Sequence, residues 1–442
     1  MMRRTRWSGA SASPRAKRTN HGFTLIELMV ALSVGLLFSV MVFMLTRDVS
    51  RYFQRETRVA DATMGAIIGF ERLKADLSRA GFLASPNLTK DPRRCPKAPA
   101  PLVADGWANF VPLSQMGALY VARGQGGSTL SAGGQALLTA NPGLSPDRLR
   151  LYGNYRTAEQ FPTRAISGAA ATVTIQLQPD SGALLRLGYV VTAAQAVRDA
   201  ILGEAFPAGR ALRIVSPEGE EQYSQIASAV SDGTGVPTVT VLHSSLGLQY
   251  KDNQPLCGIK GAGTGYLINV VNIIEYALDD TLVANNPNFQ DLKLGNTGEV
   301  WARTDLVRTE LDPQTGDPIV DSQELIAEYA VDLRFGITAV TNLATRDVTS
   351  FAAGDALMDP YTTEASASLI NRGPHLIRGV RARLSVRSRA PDRGADVPDS
   401  LKTNPNDIFR VALPGGGGDT FARVRSLVAT VATRNTRGVL WP

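Results

Sequence analysis

Cysteine and histidine are scarce in this chain: 442 residues include 2 cysteines and 3 histidines. With no C-x-x-C and no H-E-x-x-H, there is no metal-ligand spacing to find. His21 precedes the first apolar segment, and His243 and His375 are far apart in sequence, which reads as histidines in solvated loops. A G-x-x-x-x-G-K-[S/T] phosphate loop and a G-x-S-x-G elbow are also missing, so NTPase and serine-hydrolase readings lack their cradle and their nucleophile. Gly261-Ala262-Gly263-Thr264-Gly265 reads as a tight turn. Asp279-Asp280 and the stretch Ser231-Asp232-Gly233-Thr234-Gly235 lack the ligand spacing of an EF-hand, and the latter reads as a strand turn. No catalytic constellation and no cofactor are expected. Charged residues are only 19%, yet Gly (41) and Pro (25) fall short of a low-complexity composition, so most of the chain should fold. Its length allows two or three domains.

Acidic residues are absent from the first 21 positions, whereas Arg3, Arg4, Arg6, Arg15, Lys17 and Arg18 all lie there. The remaining 40 basic residues meet 40 acidic ones, so the net charge of +6 belongs to the N-terminus and gives no reason to infer a nucleic-acid surface. The stretch Leu28 to Thr46 has no charge at all and would span ~29 Å as a helix, one hydrocarbon core. Positive charge ahead of that run places the leader in the cytoplasm and everything after Thr46 across the membrane. Arg47, Arg51, Arg55 and Arg58 weaken the bias, and Asp48 and Glu56 offset two of them. Glu27 is the anomaly. A carboxylate at the edge of an apolar helix either lies in the headgroup zone or has a function that compensates its cost in lipid.

His21-Gly22-Phe23-Thr24-Leu25-Ile26-Glu27-Leu28-Met29, after a basic leader and before an unbroken apolar helix, resembles the class III signal of type IV pilins and of type II secretion pseudopilins. The resemblance implies that a membrane-embedded prepilin peptidase cuts between Gly22 and Phe23 and methylates the new amine of Phe23. It implies that Glu27 recruits and registers subunits by meeting such an amine on a neighbour. Other minor and major pilins, the inner-membrane assembly platform and membrane lipid are the partners it implies. Before assembly the protein would be a single-pass inner-membrane protein with a cytoplasmic N-terminus and a periplasmic head, and afterwards part of a pilus at the cell surface. Many major pilins carry a proline in the membrane half of this helix, whereas none occurs here from Phe23 to Ser85.

Beyond the membrane, Val59, Thr63, Ala66, Phe70, Leu73 and Leu77 recur at spacings of three and four, which predicts one helix from Phe23 to Ala80, ~87 Å long, with Gly81 as its cap. Its apolar stripe requires a sheet. Strand character occurs at Arg148–Tyr152, Ala171–Gln178, Leu184–Thr192, Leu212–Val215 and Val236–Leu242, and helical character at Ala193–Leu202. Later, Tyr329, Val331, Leu333 and Phe335 alternate with Ala330, Asp332 and Arg334. Likewise Val380, Ala382, Leu384 and Val386 alternate with Arg381, Arg383, Ser385 and Arg387, which predicts an apolar face and a face of arginines in water. Ile274 to Leu278, Val300 to Leu311 and Phe421 to Thr433 complete about five strands.

The order of these later segments also resembles the large PilW-type minor pilins and the related J-type pseudopilins, over roughly residues 264–436. The matching pieces are Ile274-Glu275-Tyr276-Ala277-Leu278, Trp301-Ala302-Arg303-Thr304 through Val307-Arg308-Thr309-Glu310, Glu324 to Phe335, Ile377 to Ser388, and Arg434-Asn435. The expected fold is therefore α+β: a long N-terminal helix on an antiparallel sheet, with a large β-rich insertion. The expected divisions are a leader (1–22), the helix (23–85), the insertion (86–263) and the sheet (264–442). The expected function is that of a non-enzymatic minor pilin for pilus assembly or priming, placed at the tip because of its bulky head, with adhesion and twitching motility as associated roles. A type II secretion pseudopilin is the alternative, and an exported enzyme on a membrane anchor a weaker one. Cys95 and Cys257 would both be exported; an even pair in an oxidising compartment favours a disulfide, with two separate buried thiols as the other reading.

Overall fold

The computed structural model describes residues 24–88, 90–95, 117–168, 172–242, 259, 261–292, 303–313, 315–358, 373–389, 408–414 and 421–441. The first helix, α1, runs Leu25–Arg79. The chain divides into two units, Met1–Thr57 and Arg58–Pro442. In the first, every residue from Thr24 to Ser50 is exposed. In the second, Ala66, Phe70, Leu73, Leu77 and Ala80 are buried at helical spacing, which matches the predicted stripe from Ala66 to Leu77; Thr63 is half-buried, and the side chain of Val59 lies outside the described residues. Gly69 belongs to it as well: a Cβ there would lie 2.1 Å from the Ile326 carbonyl oxygen, so only bare backbone permits this approach. Gly81, at φ +73°, stops the helix, while Asn435 Nδ2 donates to the Ala80 carbonyl (3.0 Å) and thereby satisfies one of its orphan acceptors.

Among the described residues fifteen strands follow in chain order: β1 (Leu119–Ala122), β2 (Arg148–Gly153), β3 (Phe161–Gly168), β4 (Thr172–Leu177), β5 (Ala211–Val215), β6 (Glu221–Ser231), β7 (Pro237–Leu242), β8 (Leu267–Asp279), β9 (Asp305–Leu311), β10 (Glu324–Ala327), β11 (Ala330–Val340), β12 (Val348–Phe351), β13 (Ile377–Arg387), β14 (Arg410–Ala412) and β15 (Phe421–Ala432). They form a ten-stranded sheet and a five-stranded sheet of order β12-β11-β13-β15-β14, all antiparallel. The protein is α+β with a β-rich body.

Within the larger sheet, β8-β3-β4-β7-β6-β5 close on themselves, because β5 pairs back onto β8. The result is a six-stranded barrel with no free edge, filled by Val173, Ile175, Ile214, Ile226, Val241 and Ile268. Two short helices, α3 (Gly182–Arg186) and α4 (Gln195–Ala205), lie between β4 and β5 and contribute Leu184 and Leu202 to the same core. A preceding helix in chain order, α2 (Ala132–Ala140), carries Leu137 to a separate small cluster. Strand β8 is shared. Its residues Leu267 to Val271 pair with β5, and Asn272 onward pair with β2 and β9, so one strand leaves the barrel and enters the sheet that covers α1. The stripe of α1 packs with Leu149, Ile274, Leu278 and Leu306 from that sheet and with Phe335 and Leu384 from the smaller one, in a single core.

Several sequence expectations need correction. Leu184–Thr192 is not a strand. Ser181 accepts a hydrogen bond from the Leu184 amide as an N-cap, which begins α3, and Leu184 and Tyr189 turn into the barrel core. The alternation from Tyr329 breaks at a register shift between Ala330 and Asp332: Ala330 joins the main core and Val331 packs on the opposite side with Leu137 and Val424. The arginines of β13 do not all face water. Arg383 donates to the buried Asp332 (2.9 Å), and Arg387 is fully buried, its guanidinium 4.8 Å from the Tyr329 ring centre. His375 is likewise no solvated loop residue, being 1% exposed. The glycine-rich stretch is a turn as expected, with Gly261, Gly263 and Gly265 all at positive φ. It docks on β3, where Thr163 Oγ1 donates to the Gly263 carbonyl (2.6 Å). His243 and the Trp301-Ala302 part of the second resemblance lie outside the described residues.

Candidate functional site

The N-terminal turn is built from two residues. Thr24 is the N-cap of α1, and Glu27 lies three positions on. The Thr24 amide and hydroxyl both donate to Glu27 Oε2 (3.0 and 2.9 Å), while the Glu27 amide donates to Thr24 Oγ1 (3.3 Å). This reciprocal arrangement is a capping box, which satisfies two helix-start donors with two side chains and puts a carboxylate at the positive end of the helix. The sequence reading isolated Glu27 and missed Thr24, although Thr-x-x-Glu before an apolar run is the signature of this cap.

Behind the cap, Leu25–Ser50 is long and apolar enough to cross a membrane. Three of its hydroxyl groups are already satisfied within the helix: Ser33 donates to the Met29 carbonyl, Ser39 to Gly35 and Thr46 to Val42, each at 2.8 Å. Such bonds remove the cost of taking a hydroxyl into lipid. Leu25, Leu32, Leu36, Phe38, Met41 and Phe43 are each exposed. Gly22 and Phe23, the expected cleavage and methylation positions, lie outside the described residues.

The other end of α1 holds a second carboxylate, which no sequence pattern announced. Asp76, 3% exposed, accepts from the Tyr276 hydroxyl (2.8 Å) and from Arg308 Nε (2.8 Å). Arg308 Nη1 also donates to Glu324 (3.2 Å), and Arg72 lies 3.6 Å from the same Glu324. The charge of Asp76 is therefore neutralised by Arg308 of β9 and hydrogen-bonded by Tyr276 of β8, while Glu324 of β10 shares the same guanidinium, which fixes the rotation of the helix base on the sheet.

Cys95 is buried, and its amide donates to the Glu221 carbonyl (2.8 Å). Around it the segment after the helix is stitched to the barrel. The Ser85 amide donates to the Tyr223 hydroxyl (3.1 Å), which donates to Glu221 (2.8 Å), and the Glu221 amide donates to the Arg93 carbonyl (2.8 Å); within the two partners, Ser85 Oγ donates to Asp91 (2.5 Å) and Arg213 pairs with Glu221. Burial pushes the Asp91 carboxyl upward against the hydrogen bond from Ser85. Cys257 lies outside the described residues. Among the described residues no group of histidine, cysteine, aspartate and glutamate is placed to hold a metal ion.

The prokaryotic N-terminal methylation motif matches residues 17–43, the segment that contains the cap and the start of the apolar helix. This match supports a type IV pilin-like protein. The motif implies processing by a prepilin peptidase and assembly with other pilins, and with the exposed apolar helix it supports membrane anchoring. It also favours a structural protein over an enzyme. No curated protein and no solved structure matches the chain.

Proposed function

We propose that this type IV pilin-like chain is a minor pilin of the PilW type, which primes or tips a type IV pilus. The observation that carries the reading is the methylation motif at residues 17–43, with Glu27 at the third position of an apolar helix. The size of the body supports a minor role: a barrel and two sheets in every subunit would crowd a repeating filament, whereas a few copies at an end meet no such limit. The peptidase cuts at Gly22–Phe23 and methylates Phe23, and the Glu27 carboxylate then meets the new cation of a neighbouring subunit. The inner-membrane assembly platform receives the processed chain, and the head is periplasmic before assembly and exposed at the cell surface afterwards. Within the head, Cys95 and Cys257 form one disulfide that ties the segment after α1 to the part of the chain that precedes β8.

N-terminal sequencing of the exported protein tests this reading. The expected sequence begins at N-methylated Phe23. An intact leader, or a cut at a later small residue, removes the pilin assignment. Glu27→Leu should leave the chain cleaved and membrane-bound and lower its recovery in sheared pili. If deletion of the protein instead abolishes protein secretion and leaves piliation intact, the type II secretion pseudopilin is the correct member of the class. Two thiols that label freely in unfolded, unreduced protein would remove the disulfide.

A further inference from the structure

We propose that the C-terminal tail is an acid-released clasp on the base of α1, with His375 as its latch. Residues Arg434 to Trp441 return to the end of the helix, which their own Asn435 holds, and are gripped in turn by Arg378 and His375. Asn435 Nδ2 donates to the Ala80 carbonyl (3.0 Å). Arg378 donates from Nη1 to the Thr436 carbonyl and from Nη2 to the Val439 carbonyl, both at 2.9 Å. His375 Nε2 donates to the Trp441 carbonyl (3.2 Å), and the imidazole stacks on the Trp441 ring with centroids 5.8 Å apart.

The other ring nitrogen of His375 holds the segment that follows the helix. Asn87 Nδ2 donates to His375 Nδ1 (3.0 Å), so Nδ1 must be the unprotonated nitrogen and the ring neutral. The site is tight: a Cβ on Gly373 would lie 2.4 Å from Asn87 Nδ2 and 2.9 Å from His375 Nδ1. The charged groups that act on the ring are both cations, Arg378 of β13 and Lys90 of the segment after α1. A proton on Nδ1 would place a third positive charge in a buried site and turn an acceptor into a donor facing a donor. Burial is the main reason that the imidazole is held down at about 4, with Arg378 and Lys90 adding to it. The sign follows: the contact is fully present above the ordinary histidine range and is lost as pH falls toward 4. Because Trp441 and Asn87 lie on opposite sides of one imidazole, loss of the latch frees both the tail and the loop after α1. This inference concerns the folded head and does not depend on the assembly reading.

The test is amide hydrogen exchange on the full-length chain in detergent micelles from pH 7.5 to 4, corrected for intrinsic rates. Histidine C2-proton exchange in the same samples gives the protonation midpoint of His375. Exchange of residues 434–441 should rise on the order of 100-fold across this range, with residues 82–88 following, while the barrel strands stay protected. His375→Gln, which cannot titrate, should remove the pH response. Asn87→Asp offers a carboxylate to the protonated ring, so it should raise the His375 midpoint and keep the tail protected at pH 5. Tail protection that is constant down to pH 4 in the unaltered chain overturns the proposal, as does an unchanged acid response in either variant.

Discussion

Two carboxylates on the same helix are stabilised in opposite ways. Glu27 is satisfied by Thr24, three residues away, in a turn that is exposed and needs nothing else from the chain. Asp76 is satisfied by Tyr276 and Arg308, 200 and 232 residues along the sequence, and only when β8 and β9 are folded against α1. The first turn can therefore exist before the body folds or after the helix changes its surroundings, whereas the base of the helix is stable only as part of the core. This divides the helix into a self-sufficient end and a dependent end.

The strongest way to break the comparison is to remove Asp76. Asp76→Ala leaves Arg308 buried without its nearest partner and should cost about 3–5 kcal/mol in denaturant unfolding of the detergent-solubilised chain. Adding Arg308→Met should recover much of that loss, because the uncompensated charge goes with it. A cost below about 1 kcal/mol for Asp76→Ala would mean that the helix base is held by its apolar stripe alone.

Next in size are two opposing pH effects within the body. Asp147 accepts from the amides of Gly124 and Phe335 (both 3.0 Å), yet burial pushes its carboxyl up to about 6. A raised acid binds its proton more tightly in the folded state, so Asp147 makes the body more stable as pH falls from about 6 to 4. His375 acts in the other direction over the same window. Each effect is about 3 kcal/mol at full extent, so the unaltered chain should show little net change while Asp147→Asn unmasks a steep acid loss. Thermal or denaturant midpoints measured at pH 7, 6, 5 and 4 decide it; parallel curves for the two chains would remove the assignment.

Glycine substitutions sharpen the contrast between the packed and exposed faces of α1. Gly69→Ala places a methyl group against the Ile326 carbonyl and should cost about 1–3 kcal/mol, because backbone must move. Gly65, one turn earlier, has open space around it, so Gly65→Ala should be neutral or gain up to about 1 kcal/mol from helix propensity. Equal losses at both positions would show that the faces are not distinct. The smallest expected effect is at the start of the helix. Thr24→Ala should cost about 1 kcal/mol, seen as faster amide exchange in the first turn only, and Thr24→Ser should restore it. Destabilisation of the whole body by Thr24→Ala would contradict the self-sufficiency of this end.

The amino-acid sequence by itself determined the features that depend on near neighbours. The apolar run, the stripe of Ala66, Phe70, Leu73 and Leu77, the stop at Gly81 and most of the strands after Gly263 follow from spacing and from residues that allow or forbid one backbone geometry. Even the Thr24 cap was legible in Thr-x-x-Glu. Tertiary structure decided what depends on distant partners. Asp76 looks like one more polar residue off the stripe until Arg308 arrives to neutralise it, and Arg387 looks solvated until the Tyr329 ring covers it. His375 looked like a loop residue because nothing near it in sequence reveals that Trp441 and Asn87 enclose it. Closure of the barrel through β8 was invisible for the same reason: a strand that pairs with β5 along its first half and with β2 along its second has the same alternation as any other, and only the folded chain supplies its neighbours.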